Sequence, residues 1–285
     1  MPKVAPFALL MVPFAVVAVV LALVARRWVV LAVSALLLAP LLVWEVPPAL
    51  PGGDEPVAGS HPLTVMELNT KVGVADPQAL LREVEARRVD VLVLTESAPE
   101  FVRALLDAGL ITRLPYGAPG DPASNVQIWS RWPTSPLAPL PGTTDPGPRA
   151  VVRTPWGTVT VTALHAISPS GGRVGDWERD IAAAGTAAAA TTGRQVVAGD
   201  FNASQDHKPF RDLLNGAGLV DATAEAGLGH GWPAFTWPAD RSPVPPLAAI
   251  DHVLVRGGVR VSGVSTVAIS GSDHFALVAS LTLDP

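Results

Sequence analysis

The chain has 285 residues, no cysteine and a formal net charge of -5 at pH 7. This length allows one large or two medium domains, and the absence of cysteine excludes disulfides, thiolate metal sites and cysteine nucleophiles. The negative balance disfavours a passive, non-specific nucleic-acid binder, because such proteins are normally basic.

Two uncharged apolar segments, residues 4–24 and 28–44, open the chain on either side of Arg26 and Arg27. A helix of roughly 20 apolar residues crosses a bilayer core, so we predict a hairpin of two transmembrane helices within residues 1–46. A cleaved signal peptide and a single signal-anchor are the alternatives. The positive-inside rule puts the arginine pair in the cytoplasm. The rest of the chain is then predicted on the extracytoplasmic side of the cell membrane, with the lipid bilayer as a partner.

Residues 47–60 are rich in proline and glycine and are typical of a linker, so a folded domain is predicted over residues 61–285. Its apolar pattern alternates between strands and helices. Mixed strands and helices with several hairpin-like pairs favour a layered α/β sandwich over a doubly wound parallel sheet. Strands are predicted at residues 63–70, 89–95, 125–130, 149–153, 158–165, 196–200, 250–256, 259–269 and 275–283, and helices at 77–88, 97–110, 176–192 and 210–214.

Polar residues stand at the ends of six of these apolar strands. A cap or an Asx-turn explains any one of them alone. Strand ends at one edge of a sandwich, however, converge on a common cleft, where binding sites are usually built. A carboxylate and an amide two residues apart on an extended segment share one face, which suits a divalent cation and a phosphate oxygen. The polar residues are Asn69, Glu96, His165, Asp200 with Asn202, Asp251, and Asp273 with His274.

These segments resemble the motifs of the endonuclease/exonuclease/phosphatase superfamily, the DNase I-like fold. They occur in the family's order and lie within residues 63–283. The resemblance implies a four-layer α/β sandwich, here preceded by the helical hairpin, and Mg²⁺-dependent hydrolysis of phosphate esters, with Mn²⁺ as a second possible ion. The motifs read Met-Glu-Leu-Asn69, Leu-Thr-Glu96, Gly-Asp200-Phe-Asn202, Ile-Asp251-His-Val and Ser-Asp273-His274.

A metal site is predicted from three of these residues. In proteins Mg²⁺ prefers oxygen ligands and usually takes one or two carboxylates. The resemblance makes Glu96 the first candidate ligand. Asn69 is expected to bind the same metal or its water shell. Asp273 is expected either to bind the metal directly or to contact the groups that bind it.

Catalytic roles follow from the chemistry of the other residues. His274 is the predicted general acid/base, because imidazole titrates nearest neutrality, and Asp251 matches the family's carboxylate that fixes its tautomer. Asp200 is expected to orient and deprotonate the attacking water. Asn202 and His165 are expected to hydrogen-bond the phosphoryl oxygens as charge develops on them.

Other positions match the family loosely or have no motif. Asn125 stands where the family often has a substrate-contacting asparagine. The family's usual Thr-His-Leu reads Leu-His-Ala around His165. His252 is expected to point to the opposite face of its strand from Asp251, and His207 is predicted at the surface.

The sequence therefore predicts a membrane-anchored, metal-dependent enzyme that hydrolyses a phosphodiester of a nucleic acid or a lipid. Two alternatives stay open at this point. One is a phosphomonoesterase of the same fold, and the other is a catalytically inactive binding module at the cell surface. No protein partner is evident from the sequence, and fold alone does not fix the substrate.

Overall fold

A computed structural model describes residues 11–45, 57–119, 124–228, 234–241 and 243–285. The described helices are α1 (Met11–Val24), α2 (Trp28–Glu45), α3 (Pro77–Ala86), α4 (Pro99–Asp107), α5 (Leu110–Arg113), α6 (Val174–Ala190), α7 (Lys208–Ala217) and α8 (Ala222–Glu225). The strands are β1 (His61–Asn69), β2 (Val91–Thr95), β3 (Tyr116–Pro119), β4 (Gln127–Ser130), β5 (Thr134–Leu137), β6 (Arg149–Thr154), β7 (Gly157–His165), β8 (Gln195–Asp200), β9 (Val220–Asp221), β10 (Asp251–Arg256), β11 (Val259–Ala268) and β12 (Phe275–Leu283).

The strands form two six-stranded sheets. Their orders are β11-β12-β1-β2-β4-β3 and β5-β6-β7-β8-β10-β9. Neighbouring strands are antiparallel except for the pairs β1–β2 and β7–β8. Helix α3 joins the first parallel pair and α6 joins the second, because parallel strands need a crossover connection. Each sheet is thus built around one parallel pair near its centre.

Four layers follow from where the apolar side chains go. Residues on one face of each sheet form a core between the two sheets. The other face of the first sheet packs against α3, α4 and α5, and the other face of the second sheet packs against α6 and α7. This order of helix, sheet, sheet and helix confirms the predicted α/β sandwich.

The two-residue period of the strands brings polar groups to one edge of this sandwich. In β1, Leu63 and Val65 belong to the core between the sheets, so Asn69 at the strand's end projects toward the same space. In β8, Val196 and Ala198 belong to the same core, so Asp200 at the end of this strand also projects toward the space between the sheets. Since β1–β2 and β7–β8 are parallel pairs, their carboxyl ends meet at a common edge.

The elements that differ from the sequence prediction are short or broken by glycine and proline. The helix predicted over residues 97–110 ends at Asp107, and α5 begins after Gly109, whose φ of 95° cannot continue a right-handed helix. Strands β3, β5 and β9 and helix α8 were not predicted. Tyr-Gly-Ala-Pro in β3 and Thr-Ser-Pro-Leu in β5 carry breaker residues, which are tolerated at sheet edges.

Helices α1 and α2 coincide with the two predicted apolar segments from residue 11 onward and pack against each other. Residues 4–10 of the first segment and residues 47–56 of the predicted linker lie outside the described residues. Among the described residues, no helix is both long and apolar enough to cross a membrane. The prediction of a transmembrane hairpin is therefore not confirmed.

Candidate active site

Six of the predicted site residues line one cavity of about 490 Å³ at the edge where the parallel strands end. Two more, Asn69 and Asp251, are only 1% exposed and lie behind this lining, bonded to residues in it. Asn125 is exposed and is absent from the lining that the structure describes. The six lining residues are Glu96, His165, Asp200, Asn202, Asp273 and His274.

Asp251 and His274 form a buried pair. Strand β10 begins at Asp251 beside Asp200 of β8, and His274 directly precedes β12. The imidazole Nδ1 donates to Asp251 Oδ2 at 2.8 Å, which leaves Nε2 facing Asp200 Oδ2 at 4.0 Å. Burial works to lower the pKa of His274, but the charge of Asp251, its hydrogen bond, and the charges of Asp200 and Asp273 raise it to about 9. His274 is therefore a cation at neutral pH.

Asp200 is held by two donors. The Asn202 backbone N–H donates to Oδ1 at 2.7 Å, and Asn69 Nδ2 donates to Oδ2 at 3.0 Å. Burial and the charge of Asp251 raise the pKa of Asp200 to about 6, against the opposing effect of His274. A carboxylate with a pKa just below neutrality is suited to accept a proton from water.

The backbone at these strand ends has unusual dihedral angles. Gly199 precedes Asp200 at φ 145°, and a Cβ there would lie 1.9 Å from the carbonyl oxygen of Leu164, so only glycine fits. Glu96 and Asn202 have φ of 50° and 46°, in the left-handed region that non-glycine residues seldom adopt. Strain of this kind clusters at functional sites.

Asn69 links the two sheets through its amide group. Its Nδ2 donates to Glu96 Oε1 at 3.1 Å as well as to Asp200, and its Oδ1 accepts from the Lys71 backbone N–H at 2.9 Å. The amide oxygen is thus already bonded, and in this arrangement Asn69 positions two carboxylates. Its role as a metal ligand stays a prediction.

His165 lies between two carboxylates. Its Nε2 is 3.6 Å from Glu96 Oε1 and its Nδ1 is 3.3 Å from Asp145 Oδ2. Burial lowers the pKa of His165, but the hydrogen bond to Asp145 and the charges of Asp200, Glu96 and Asp145 together raise it. Asp145 was not predicted, because it lies in a proline- and glycine-rich loop between strands and carries no motif.

The two amide side chains predicted to touch substrate are placed differently. Asn202 lines the cavity, and its Nδ2 donates to the Ala166 carbonyl at 2.9 Å. Asn125 contributes its backbone carbonyl, which accepts from the N–H and the hydroxyl of Ser97 at 2.8 and 2.7 Å. This contact ties the segment that precedes β4 to the residue after Glu96, and substrate contact by the side chain of Asn125 stays a prediction.

The donor set of the cavity suits a divalent cation. Glu96, Asp200 and Asp273 line the same cavity, and oxygen donors such as carboxylates are what Mg²⁺ takes. Among the described residues, ligand atoms of Asp200, Asp251 and His274 lie within 4.8 Å of one another. Metal binding by Glu96 and Asp273 stays a prediction.

A family comparison identifies the arrangement. The model that describes the "Endonuclease/Exonuclease/phosphatase family" matches residues 66–274, which is well over half of the chain. The chain belongs to the endonuclease/exonuclease/phosphatase family. Comparison with curated proteins gives no match.

Solved structures share the fold of this family member. Sphingomyelinase C from Streptomyces griseocarneus is 20% identical over 77% of this chain and 99% of its own, with a TM-score of 0.55. TDP2 from D. rerio, complexed with a single-strand DNA product, is 14% identical over 77% and 98%, with a TM-score of 0.58. A mutant beta toxin from Staphylococcus aureus with bound magnesium ions is 13% identical over 79% and 100%, with a TM-score of 0.55. The family supports the predicted class of protein, a hydrolase of phosphate esters.

Two further histidines lie outside the cavity lining. His252 points to the other face of β10, as predicted, where Nδ1 contacts Asp221 Oδ2 at 3.0 Å and Nε2 contacts the Ala203 carbonyl at 2.8 Å. His207 is buried, not at the surface: its Nδ1 accepts from the Ser204 backbone N–H at 2.9 Å. The prediction for His207 was wrong because no motif marks a histidine that begins a helix, here α7.

Glu67 is a buried carboxyl group that the sequence analysis left without a role. It is 0% exposed, and neither carboxyl oxygen has a hydrogen-bond partner; Asp251 Oδ1 likewise has none. Burial, followed by the charges of Asp251 and Asp200, raises the pKa of Glu67 well above its ordinary value. Burial among these carboxylates therefore favours the neutral form of Glu67.

Replacing Glu67 with glutamine is expected to flatten the pH dependence of stability. Folding raises the pKa of Glu67, so the folded state keeps a proton that the unfolded state releases above about pH 4.3. The free energy of unfolding therefore falls as pH rises from there toward the pKa of the folded state. Glu67→Gln removes this linkage, so its free energy of unfolding is expected to fall less than that of wild type between about pH 4.5 and 7.5. Denaturant unfolding from pH 4.5 to 7.5 measures it. Glu100→Gln, which removes an exposed carboxylate in the first turn of α4, is the control, and parallel pH profiles for wild type and Glu67→Gln would contradict the expectation.

Proposed function

We propose that this protein is a divalent-metal-dependent phosphodiesterase in which Asp200 activates water and the Asp251–His274 pair supplies the proton. The observation that carries the proposal is the single cavity lined by Asp200, His274 and Glu96. Behind it, Asp251 is hydrogen-bonded to His274 at 2.8 Å. These groups together match what metal-assisted water attack on phosphorus requires.

The pKa values divide the proton-transfer roles. Asp200, with a pKa of about 6, is ionised at neutral pH and takes a proton from the attacking water. His274, with a pKa of about 9, is charged at the same pH and gives a proton from Nε2 to the departing oxygen. Two titratable groups pushed apart in this way are the usual signature of an acid and base assignment.

Four other residues of the lining would act on the phosphoryl group. Asn202 and His165 offer hydrogen bonds to the phosphoryl oxygens, and the raised pKa of His165 favours its charged, donating form. A bound Mg²⁺ or Mn²⁺ would neutralise charge that develops on those oxygens. Glu96 and Asp273 would hold that ion.

A diester fits this charge distribution better than a monoester. The carboxylates of Glu96, Asp200 and Asp273 repel a phosphomonoester dianion more strongly than the single charge of a diester. Nucleic acid and phospholipid both contain such diesters. The structural similarity to a sphingomyelinase and to TDP2 is compatible with both classes of substrate and does not favour either one.

The purified full-length protein is expected to hydrolyse bis(p-nitrophenyl) phosphate faster than p-nitrophenyl phosphate when Mg²⁺ or Mn²⁺ is present. Its kcat/KM is expected to rise with pH through about 6 and to fall through about 9, following Asp200 and His274. Asp200→Asn, which keeps the shape and loses the base, should lower turnover by roughly 10²–10⁴-fold and remove the rising limb. A wild type with no activity on either ester, yet correctly folded, would favour the inactive binding module instead.

We further propose that residues 1–46 attach the protein to a membrane, with the folded domain on the extracytoplasmic side. The support is the run of exposed apolar side chains on α1 and α2, such as Phe14, Val24 and Leu36. Arg26 and Arg27 at the turn would face the cytoplasm.

Expressed in bacterial cells, the full chain is expected in the membrane fraction after carbonate extraction. Protease added outside spheroplasts should reach the folded domain, because the arginine pair fixes the orientation. A chain lacking residues 1–46 is the control and should leave the membrane fraction. Recovery of the full chain in the soluble, protease-protected fraction would contradict the proposal.

A further inference from the structure

The active-site cavity has an arginine that the proposed reaction does not use. Arg173 follows the loop after β7 and directly precedes α6. It lines the cavity together with Glu96, Asp200 and His274. Among the described lining residues it is the sole lysine or arginine.

Arg173 is also unpaired, unlike other basic side chains near the site. Lys71 is 2.7 Å from Asp240, and Arg179, one turn and a half further along α6, is 2.8 Å from Asp176. The guanidinium of Arg173 has no ion pair or hydrogen bond with any described residue, and the residue is exposed. Its guanidinium is therefore available to a ligand in the cavity.

The cavity that Arg173 lines also has uncharged residues. Ile167, Trp237 and Ile250 contribute apolar side chains, and Ser168 adds a hydroxyl. Flat or apolar groups pack well against such side chains. A guanidinium binds phosphate or carboxylate through two parallel hydrogen bonds. The cavity thus suits an organic group that carries an anion.

The size of the cavity and its single arginine argue against a long polyanion as substrate. A volume of about 490 Å³ is within the usual range for a small ligand. Proteins that track a nucleic-acid backbone need several lysines or arginines along the groove, and the described lining of this cavity has one.

We propose that the enzyme acts on a small organic phosphodiester that carries a second negative charge, and that Arg173 selects for this charge. This inference rests on the proposed phosphodiesterase function. The reacting phosphorus lies against the carboxylates and His274, the organic group against Trp237 and Ile250, and the second anion against Arg173. Arg173 is a specificity-determining residue and takes no part in the proton transfers.

The test compares two substrates that differ by one charged group. Thymidine 5′-(p-nitrophenyl phosphate) has a single diester, and its 3′-phosphorylated form adds a second anion. With the full-length protein and Mg²⁺, kcat/KM is expected to be about tenfold higher for the 3′-phosphorylated form. Arg173→Gln should abolish this ratio and leave the rate on the simpler diester nearly unchanged. Arg173→Lys should restore part of the ratio, because it returns the charge without the fork of donors.

Arg179→Gln is the matched control, since it removes an exposed arginine on α6, the helix that follows Arg173, and Arg179 does not line the cavity. Calorimetric binding of thymidine 3′,5′-bisphosphate and thymidine 5′-phosphate, in Ca²⁺, tests the inference without turnover. The bisphosphate should bind about tenfold more tightly to wild type and equally to Arg173→Gln. Equal binding of the two nucleotides to wild type, or an equal effect of Arg179→Gln, would overturn the role of Arg173. Absence of hydrolysis together with the expected binding difference would overturn the proposed function alone.

Discussion

His274→Ala is expected to lower kcat by roughly 10²–10⁴-fold, the contribution that general acid/base catalysis typically makes. Asp251→Asn should lose somewhat less, because the imidazole remains but its tautomer and charge are no longer held by the carboxylate at 2.8 Å. The double variant should be little worse than His274→Ala alone, since residues that act as a unit have non-additive effects. Steady-state kinetics on the three variants, corrected for folded protein, measure this coupling.

The chain contains its own control for this experiment. Asp221 and His252 form another buried carboxylate–imidazole pair, at 3.0 Å, outside the cavity lining. Asp221→Asn is expected to lower stability and to leave turnover of the folded fraction unchanged. If Asp251→Asn behaves like Asp221→Asn, the carboxylate of Asp251 has a structural role only. Fully multiplicative losses at Asp251 and His274 would show that the two do not act together.

The positions of the predicted catalytic residues were accessible from sequence for a physical reason. A buried strand alternates its side chains between two faces, so a polar residue at its end continues a known face. This places Asn69, Asp200 and Asp251 toward the space between the sheets, and places His252 on the opposite face. The parallel pairs β1–β2 and β7–β8 then bring the carboxyl ends of both sheets to one edge.

Contacts between the sheets were not accessible in this way. Asn69 bridges Glu96 of its own sheet and Asp200 of the other, which depends on how the two sheets pack. Asp145 reaches His165 from a loop that has no periodic pattern. Glu67 lies two residues before Asn69 and therefore on the same face of β1. This spacing in the sequence was enough to predict that Glu67 points into the space between the sheets. It was missed because a glutamate within an apolar strand otherwise indicates a solvent-facing position.

For the helices at the N-terminus, the sequence predicted the apolar segments but not the exact helix lengths. Composition alone predicted two apolar segments, and helices α1 and α2 occupy them over the described residues. Composition does not fix where a helix begins or ends, and length decides whether a helix crosses a bilayer. Fractionation of cells therefore tests whether α1 and α2 associate with a membrane.

Removal of the divalent cation is expected to abolish phosphodiester hydrolysis, and Glu96→Gln should weaken the binding of that cation. Glu96 lines the cavity, and its carboxylate is held by Asn69 Nδ2 at 3.1 Å and by the Val72 backbone N–H at 3.0 Å. Glutamine keeps the volume but loses the charge that attracts Mg²⁺, so the Mg²⁺ concentration for half-maximal activity should rise by on the order of 10–100-fold. Titration of Mg²⁺ into chelator-treated protein measures this concentration.

Glu100→Gln, in the first turn of α4, is the control for that titration, because it removes a nearby exposed carboxylate that does not line the cavity. Its Mg²⁺ titration should coincide with that of wild type. Little core packing is lost in Glu96→Gln, since Glu96 lies at the polar end of β2 and is part-exposed, so its unfolding midpoint should stay close to that of wild type. A shifted Mg²⁺ titration at unchanged stability therefore indicates a lost ligand and not a damaged fold. Full activity in excess chelator would mean that the carboxylates of this cavity serve a reaction that needs no metal ion.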